Sequence, residues 1–288
     1  MVAGKMKKAF ALFWQGGDST LPGYRLSLTV TLVWTGFFII LPLFALALRP
    51  WQNGFGMVLN ELHDTRMFAA LWTSFSSAVA AALLNIPLGL FLAWMLVRGH
   101  LPGRKMADAL IDLPLAIPTA VSGITLATLY SPRGWLGAPL SKIGIDVAYT
   151  RTGIVLALMF VGLPFMVRTI EPVLKNLPHE LEEAARLLGA RPRQVIGRVL
   201  LAPLIPTVIT GFGLAFARGM GEYGSVIFIA GNQPFKSEIA PLLIVVRLQE
   251  FDYSGATAIA LILLLISFLS LIFVGAVRKK LSVWTSAS

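Results

Sequence analysis

The sequence predicts an all-α, polytopic membrane protein with six transmembrane helices. Of its 288 residues, 56% are hydrophobic and only 13% are charged, whereas roughly a quarter of the residues of a soluble domain are charged. Six charge-free stretches also recur along the chain, and about 20 apolar residues suffice to cross the hydrocarbon core. These stretches are Leu26 to Leu48, Met67 to Val97, Leu113 to Pro132, Thr152 to Val167, Val199 to Ala217 and Tyr253 to Val277.

Two of the stretches differ in length from a simple span. The second would reach about 46 Å as one straight helix, against a hydrocarbon core of about 30 Å. It must therefore tilt, protrude or break, and Asn85 with Pro87 is the expected position of a break. The fourth stretch is short, but Arg151 and Arg168 at its ends can extend their side chains to the two interfaces.

The basic residues are distributed unevenly between the two sides of this arrangement. Sixteen of the 24 Lys and Arg fall on the side that holds both termini and the loop before the fifth span. Basic loops remain in the cytoplasm, so both termini and this loop are expected there. We expect a cytoplasmic tail over residues 1–25, a transmembrane domain over 26–277 with a cytoplasmic loop at about 168–198, and a second tail over 278–288. This topology accounts for the net charge of +10 without a nucleic-acid partner.

The loop before the fifth span contains the sequence LEEAARLLGARPRQVIGRVLLAP, from Leu181 to Pro203. Pro178 suits a first helical turn, and the acidic residues after it lie near the positive end of the helix dipole. Leu181, Ala185 and Leu188 form an apolar stripe, and Gly189 suits the left-handed residue that ends a helix. A second helix can begin at Pro192. This rigid projection either lies on the membrane surface or docks on a partner protein.

Several classes of chemistry lack their usual residues in this chain. It has no Cys, and His63, His100 and His179 are far apart in sequence, so no metal or cofactor site is predicted. The sequence shows no paired carboxylates, nucleophile elbow or HExxH helix on an accessible element, which disfavours an enzyme. The phosphate-binding pattern GxxxxGK[ST] is absent as well. Any ATP-driven work must therefore take its energy from another subunit.

The spacing from Glu183, Ala184 and Ala185 to Gly189, and then to Val199 and Leu201, resembles the EAA loop of bacterial ABC importer permeases. In that family the loop helix seats in a groove of a cytoplasmic ATPase. The resemblance implies ATPase-coupling residues, which are Glu182, Glu183, Ala184, Ala185, Leu188 and Gly189. One departure affects the entry into the fifth span: the proline that the family places at Ala202 is at Pro203.

Three further stretches resemble the sulfate/thiosulfate permeases, in the subunit that pairs with a second, related permease. They are DLPLAIPTAVSGITLATLY from Asp112, GEYGSVIFIAGN from Gly221 and RLQEFDY from Arg247. The resemblance implies a MetI-like type I ABC importer in a bacterial cytoplasmic (inner) membrane. Its expected partners are the second permease, two copies of an ATPase that binds ATP and magnesium, an extracytoplasmic sulfate-binding protein and membrane lipid. Molybdate permeases carry a stretch similar to GEYG, so molybdate or tungstate is the alternative substrate.

Two groups of polar residues are candidates for the translocation path or gate. Arg218 and Glu222 stand at i and i+4 in a Gly-rich segment and can neutralise each other. They either fix helix packing or place Arg218 on the path of a dianion. Ser122 and Thr125 lie among prolines and small residues of the third span, which suit either close packing or a hydroxyl-lined gate. An ion-driven carrier would need acidic residues within its spans, and the six stretches contain none.

The charge asymmetry predicts where reporter fusions will be active. A reporter fused after Ser288 should lie in the cytoplasm, whereas one inserted between Pro139 and Asp146 should lie outside. Alkaline phosphatase and green fluorescent protein fusions distinguish the two sides. Reporter activity on the same side at both positions would contradict the six-span topology.

Overall fold

A computed structural model describes residues 24–49, 63–99 and 102–286 of the chain. The predicted amino-terminal tail therefore lies almost wholly outside the described residues. Within them the chain is helical and contains no β-strand. The first helices are α1 (Tyr24–Thr35), α2 (Leu41–Leu48), α3 (Thr65–Arg98), α4 (Arg104–Ala116), α5 (Thr119–Tyr130), α6 (Gly137–Lys142) and α7 (Arg151–Lys175). The later helices are α8 (His179–Leu187), α9 (Pro192–Gln194), α10 (Ala202–Met220), α11 (Val226–Ile229), α12 (Ala240–Gln249) and α13 (Tyr253–Ser286).

In the described part of the chain, five continuous helical segments are long and apolar enough to cross a membrane, and a bent pair counted as one span makes six. The prediction of six spans is confirmed on that count. Two spans contain a π-helical segment, Gly36–Ile40 between α1 and α2 and Val195–Leu201 between α9 and α10. No residue of Leu26–Leu48 is buried within the chain. The first span therefore presents its apolar side chains outward.

The second span does not break. Helix α3 runs through Pro87 as one helix of 34 residues, about 51 Å long at about 1.5 Å per residue, so the expected break at Asn85 and Pro87 is wrong. The fully buried Asn85 instead donates a hydrogen bond from Nδ2 to the backbone oxygen of Met159 in α7, at 3.1 Å. This bond holds the two helices together beside the proline.

The third span consists of two helices, α4 and α5, that meet at an angle of 109°. Ile117 is extended (φ −84°, ψ 136°) and Pro118 precedes the first residue of α5. A residue before proline is disfavoured in the helical region, so the chain turns here. The span expected over Leu113 to Pro132 is thus a bent pair of helices that begins earlier, at Arg104.

Two other boundaries differ from those expected, and one helix was not predicted. Helix α7 continues past Arg168 to Lys175, and the fifth span begins at Pro192 rather than Val199. Helix α12 was not predicted, because its ten residues are too few for a span. It packs against α13 and α3.

The core lies where α3, α7 and α10 pack together. Its centre contains Ile154, Leu158 and Phe216, and small residues such as Ala78 on α3 let the backbones approach. A second buried cluster with Leu96, Met166, Ile170 and Leu204 lies closer to the end of the bundle that carries α8. Both clusters hold α7 in the middle of the bundle.

Gly123 provides a test of the packing between α5 and the turn after α10. A Cβ atom on Gly123 would lie 2.3 Å from the backbone oxygen of Ser225, whereas one on Gly221 would meet nothing within 4 Å. Gly123→Ala should therefore destabilise the protein by about 1–3 kcal/mol, as overpacking does, and Gly221→Ala should not. Thermal unfolding of the two purified variants in detergent measures the difference. Equal midpoints would contradict the close approach.

Candidate functional site

The loop helix α8 is a short helix with defined ends at one face of the bundle. It begins after Pro178 and carries Glu180 and Glu182 in its first turn. Gly189 has φ +82°, and its N–H bonds the oxygen of Arg186 while the N–H of Ala190 bonds the oxygen of Ala185, both at 3.0 Å. This pair of bonds is the Schellman arrangement, which needs a left-handed residue. The predicted helix, its glycine end and the restart at Pro192 are confirmed.

Arg98, the last residue of α3, attaches the loop helix to the bundle. Its side chain is only 7% exposed, and Nη2 donates to the backbone oxygen of Leu177 at 2.7 Å. A second guanidinium nitrogen contacts Nε2 of His179, and Nε lies 3.4 Å from Oε1 of Glu182. A buried cation needs such partners because desolvation is costly. The start of α8 is therefore held against the end of α3.

The residues that the resemblance assigned to ATPase coupling differ in how exposed they are. Glu182 is mostly buried and faces Arg98, whereas Glu183 and Ala184 are exposed and Ala185 is half-buried. Leu188 is 89% exposed, and so is Leu187, which the sequence analysis did not select. Two leucines exposed side by side form an apolar tip. Such a tip is a feature that protein docking surfaces bury.

The chain then enters the fifth span through a π-helix. The segment Val195–Leu201 has π geometry, and α10 begins at Ala202 with Pro203 as its second residue. A proline in an α-helix leaves the carbonyl four residues earlier without its bond and collides with it. The π-helical segment lies directly before Pro203, the proline that is one position later than in the family. It connects α9 to α10, and the helical segment from Pro192 to Met220 is continuous.

A second ion-pair network lies near the same end of the bundle. Arg168 of α7 bonds Asp108 at 2.7 Å and Asp112 at 2.6 Å, both on α4, and also Glu171 at 2.6 Å. Lys175 bonds the other oxygen of Glu171 at 2.6 Å. From the sequence, Arg168 was expected to lie at the end of a span. The spacing of the two aspartates, one helical turn apart on one face, was the signal for its partners.

The predicted pair Arg218 and Glu222 is present. Nη1 of Arg218 lies 2.6 Å from Oε2 of Glu222, whose side chain is 2% exposed. The other carboxylate oxygen accepts the backbone N–H and the hydroxyl of Ser225, each at 3.0 Å. Glu222 lies just beyond the end of α10 rather than within it. It fixes the turn that follows the helix, and the Arg218 side chain stays about one-third exposed.

The hydroxyl residues of α5 have different surroundings. Ser122 is buried, and its hydroxyl lies 3.5 Å from the backbone oxygen of Pro118, whereas its neighbour Gly123 approaches the Ser225 backbone. Thr125 is exposed, and its hydroxyl donates to the oxygen of Val121 at 2.8 Å. Gly224 approaches Thr119 at the start of α5. The turn after α10 therefore packs closely against the broken third span.

A further charged group at the other end of the bundle was not predicted. Arg66 at the start of α3 bonds both oxygens of the buried Glu238, at 2.9 and 2.7 Å. Arg247 bonds Asp64 at 2.7 Å. These partners are more than 170 residues apart in sequence, so no local pattern indicates the pairs.

The chain resembles known transport proteins over most of its length. The family described as binding-protein-dependent transport system inner membrane component matches residues 85–283. The "probable sulfate transport system permease protein cysT" of Nephroselmis olivacea is 47% identical, covering 87% of this chain and 88% of its own. The "sulfate transport system permease protein CysT" of Escherichia coli K12 is 44% identical, covering 90% and 94%.

Solved structures share the fold at low identity. A chain of a bacterial ABC transporter involved in the import of the acidic polysaccharide alginate has a TM-score of 0.72 at 18% identity, covering 97% of this chain and 98% of its own. A chain of the inward-facing MetNI methionine ABC transporter has a TM-score of 0.57 at 15% identity, covering 75% and 96%. Both likenesses concern the arrangement of helices.

Replacing Arg98 tests whether it holds the loop helix. Arg98→Gln should leave the bundle folded but free the start of α8, because the hydrogen bond to Leu177 and the ion pair with Glu182 are lost. Trypsin should then cut after Arg186 at least about fivefold faster, the factor that corresponds to about 1 kcal/mol. Arg104→Gln, at the exposed start of α4, is the matched control and should cut at the original rate. Unchanged cleavage of the Arg98 variant would refute the anchor.

Proposed function

The chain belongs to the family of binding-protein-dependent transport system inner membrane components, and we propose that it is the permease subunit through which an ATP-driven ABC importer moves sulfate, or thiosulfate, into the cytoplasm. It is a transport subunit and not an enzyme. The single observation that carries the choice of sulfate is the end-to-end similarity to relatives named sulfate permeases, at 43–47% identity for several of them. Molybdate and tungstate, which are also tetrahedral dianions, are the alternative cargo.

The importer in this proposal contains four kinds of protein. This chain pairs with a second, related permease as a heterodimer, and two copies of a cytoplasmic ATPase bind ATP and magnesium. An extracytoplasmic sulfate-binding protein delivers the anion. The chain is a multi-span membrane protein, and we place both of its termini and α8 on the cytoplasmic side of a bacterial inner membrane. The exposed apolar surface of Leu26–Leu48 is available to lipid and to the second permease in this proposal.

The loop helix is the proposed point of contact with the ATPase. Its exposed face combines Glu183 and Ala184 with the apolar tip of Leu187 and Leu188. Arg98 and Gly189 fix the direction in which that face points. An ATPase that moves when it binds ATP would therefore move α8 and the end of α3 as one unit, rather than bending a flexible loop.

An ion-driven carrier is the competing class of protein. Such a carrier needs exchangeable charge on the path of the coupling ion. The buried carboxylates within the described bundle, Glu171, Glu222 and Glu238, each have a cationic partner within hydrogen-bond distance. An isolated carrier would also have no use for a projecting loop helix with an apolar tip.

Reconstitution of the complete importer tests the proposal. The permease pair, the ATPase and the binding protein are placed in nanodiscs, and ATP hydrolysis is measured with and without sulfate on the binding protein. We expect the sulfate-loaded protein to stimulate hydrolysis, and molybdate to stimulate it less. Stimulation by molybdate alone would favour the alternative cargo, and hydrolysis indifferent to the binding protein would refute an importer of this class.

Arg218 is the proposed cationic group on the anion path. Glu222 is held in the turn by its bonds to Ser225. The exposed part of the Arg218 guanidinium is therefore the group that is open to an anion. Arg218→Gln should assemble normally but lower sulfate uptake and change its salt dependence, whereas Arg218→Lys should retain more uptake. Normal uptake by the Gln variant would remove Arg218 from the path. A tolerated Arg218→Lys, with assembly and transport lowered together in Arg218→Gln, would indicate a packing role only.

Substitutions of Gly189 test coupling to the ATPase separately from folding of the bundle. Val at φ +82° is strained by on the order of 1 kcal/mol or more, whereas Asn tolerates the left-handed region. Gly189→Val should reach the membrane at normal levels but lose ATPase co-purification or stimulated hydrolysis, and Gly189→Asn should keep both. Glu183→Lys should act like the Val variant but more mildly, because it places a cation near the helix start. Full sulfate uptake by Gly189→Val would contradict the proposed role of the loop helix.

A further inference from the structure

An open cavity lies at the end of the bundle opposite the loop helix. Its volume is about 390 Å³, against about 30 Å³ for each water molecule of the liquid, so it can hold a small ion together with part of its hydration shell. The lining residues are two cations, two hydroxyl residues, an amide and two aromatic residues, and no acid is among them. They are Tyr149, Thr150, Arg151, Gln233, Phe235, Lys236 and Ser237.

Arg151 is held in place at one wall of this cavity. It is the first residue of α7, and Nε donates to the backbone oxygen of Lys236 at 2.6 Å. Nη2 donates to the hydroxyl of Thr73 at 3.3 Å. A guanidinium has five N–H donors, so these two bonds orient the group and leave others for a ligand. The amino end of α7 adds its own positive partial charge at the same wall.

The loop that supplies Lys236 forms the opposite wall and is internally bonded. The backbone oxygen of Gln233 accepts the N–H groups of Lys236, Ser237 and Glu238, at 3.1, 2.9 and 3.1 Å. The Gln233 N–H donates in turn to the hydroxyl of Ser237 at 3.2 Å. These bonds use the backbone of Gln233, so its side chain is free to be replaced without losing them.

The acid closest in sequence to this loop is already neutralised. Glu238 is 1% exposed, and both of its oxygens bond Arg66. It therefore cannot cancel the charge of Lys236, which is exposed. The cavity keeps the two positive charges of Arg151 and Lys236, and hydroxyl and amide groups beside them can bond the remaining oxygens of an anion.

We propose that this cavity is a weak entry site for the transported oxyanion, which it holds between Arg151 and Lys236 before the anion passes into the bundle. The inference rests on the proposed function, because it assigns the ligand as the cargo of that importer. Exposed cations bind weakly, and a site on a transport path must also release its ion. A carboxylate group of a docking protein is also an anion that the two cations can bind. The experiment below distinguishes this carboxylate from the transported oxyanion.

The natural absence of cysteine allows a direct test in the assembled importer. Gln233→Cys places a thiol in the cavity, and Ile143→Cys, 69% exposed and outside the lining set, is the control position. Each variant is treated with a negatively charged methanethiosulfonate reagent, in sodium sulfate or in sodium chloride of matched ionic strength, without binding protein. A further arm in sodium chloride contains unloaded binding protein. The labelling rate is read on this chain after the subunits are separated.

Sulfate should slow labelling at Gln233→Cys by about twofold to fivefold, the effect of one exposed charge interaction, and leave Ile143→Cys unchanged. Adding Lys236→Gln should abolish the sulfate effect, whereas adding Lys142→Gln, an exposed lysine on α6, should not. Equal slowing at both cysteines would overturn the site. So would protection by unloaded binding protein without protection by sulfate. Sulfate uptake by the unmodified importer is measured in parallel, and its absence would refute the proposed function instead.

Discussion

The buried guanidinium of Arg98 fixes the loop helix relative to the membrane bundle. Its position at the end of α3 removes it from water, so its free energy depends on the partners that α8 and the turn before it supply: the His179 ring, the Glu182 carboxylate and the Leu177 oxygen. Gly189 then closes the far end of α8 with a turn that a side chain would strain. These two constraints make the loop helix part of the bundle, and its apolar tip is the element left for a partner.

Close backbone contacts and paired charges connect the end of the bundle that carries α8 to the opposite end. Glycine at position 123 lets α5 touch the turn at Ser225, and Glu222 holds that turn to Arg218. Networks around Arg168 and Arg66 lie at opposite ends, each joining elements distant in the chain. Small movements of α8 therefore act on packed helices with discrete contacts, which suits a two-state gate better than gradual bending.

The sequence predicted the features that depend on local pattern. Charge-free stretches located the spans, and Pro178, the acidic first turn and Gly189 located both ends of α8. It could not predict where charged residues find partners far away, so Arg168 was read as a span end and Arg98 and Glu182 were not joined. The continuity of α3 at Pro87 is also a tertiary effect, whereas the turn before Pro118 follows the local limit on the conformation of a residue that precedes a proline. Asn85 ties α3 to α7 beside Pro87, whereas Ile117 is extended beside Pro118.

ATP-dependent sulfate uptake into proteoliposomes tests the central claim most directly. Vesicles contain this chain, its partner permease and the ATPase, with ATP inside and sulfate-loaded binding protein outside, and labelled sulfate is collected over time. The account predicts uptake that requires both ATP and the binding protein and that stops when the ATPase is omitted. Sulfate uptake driven by an ion gradient in vesicles lacking the ATPase would contradict it.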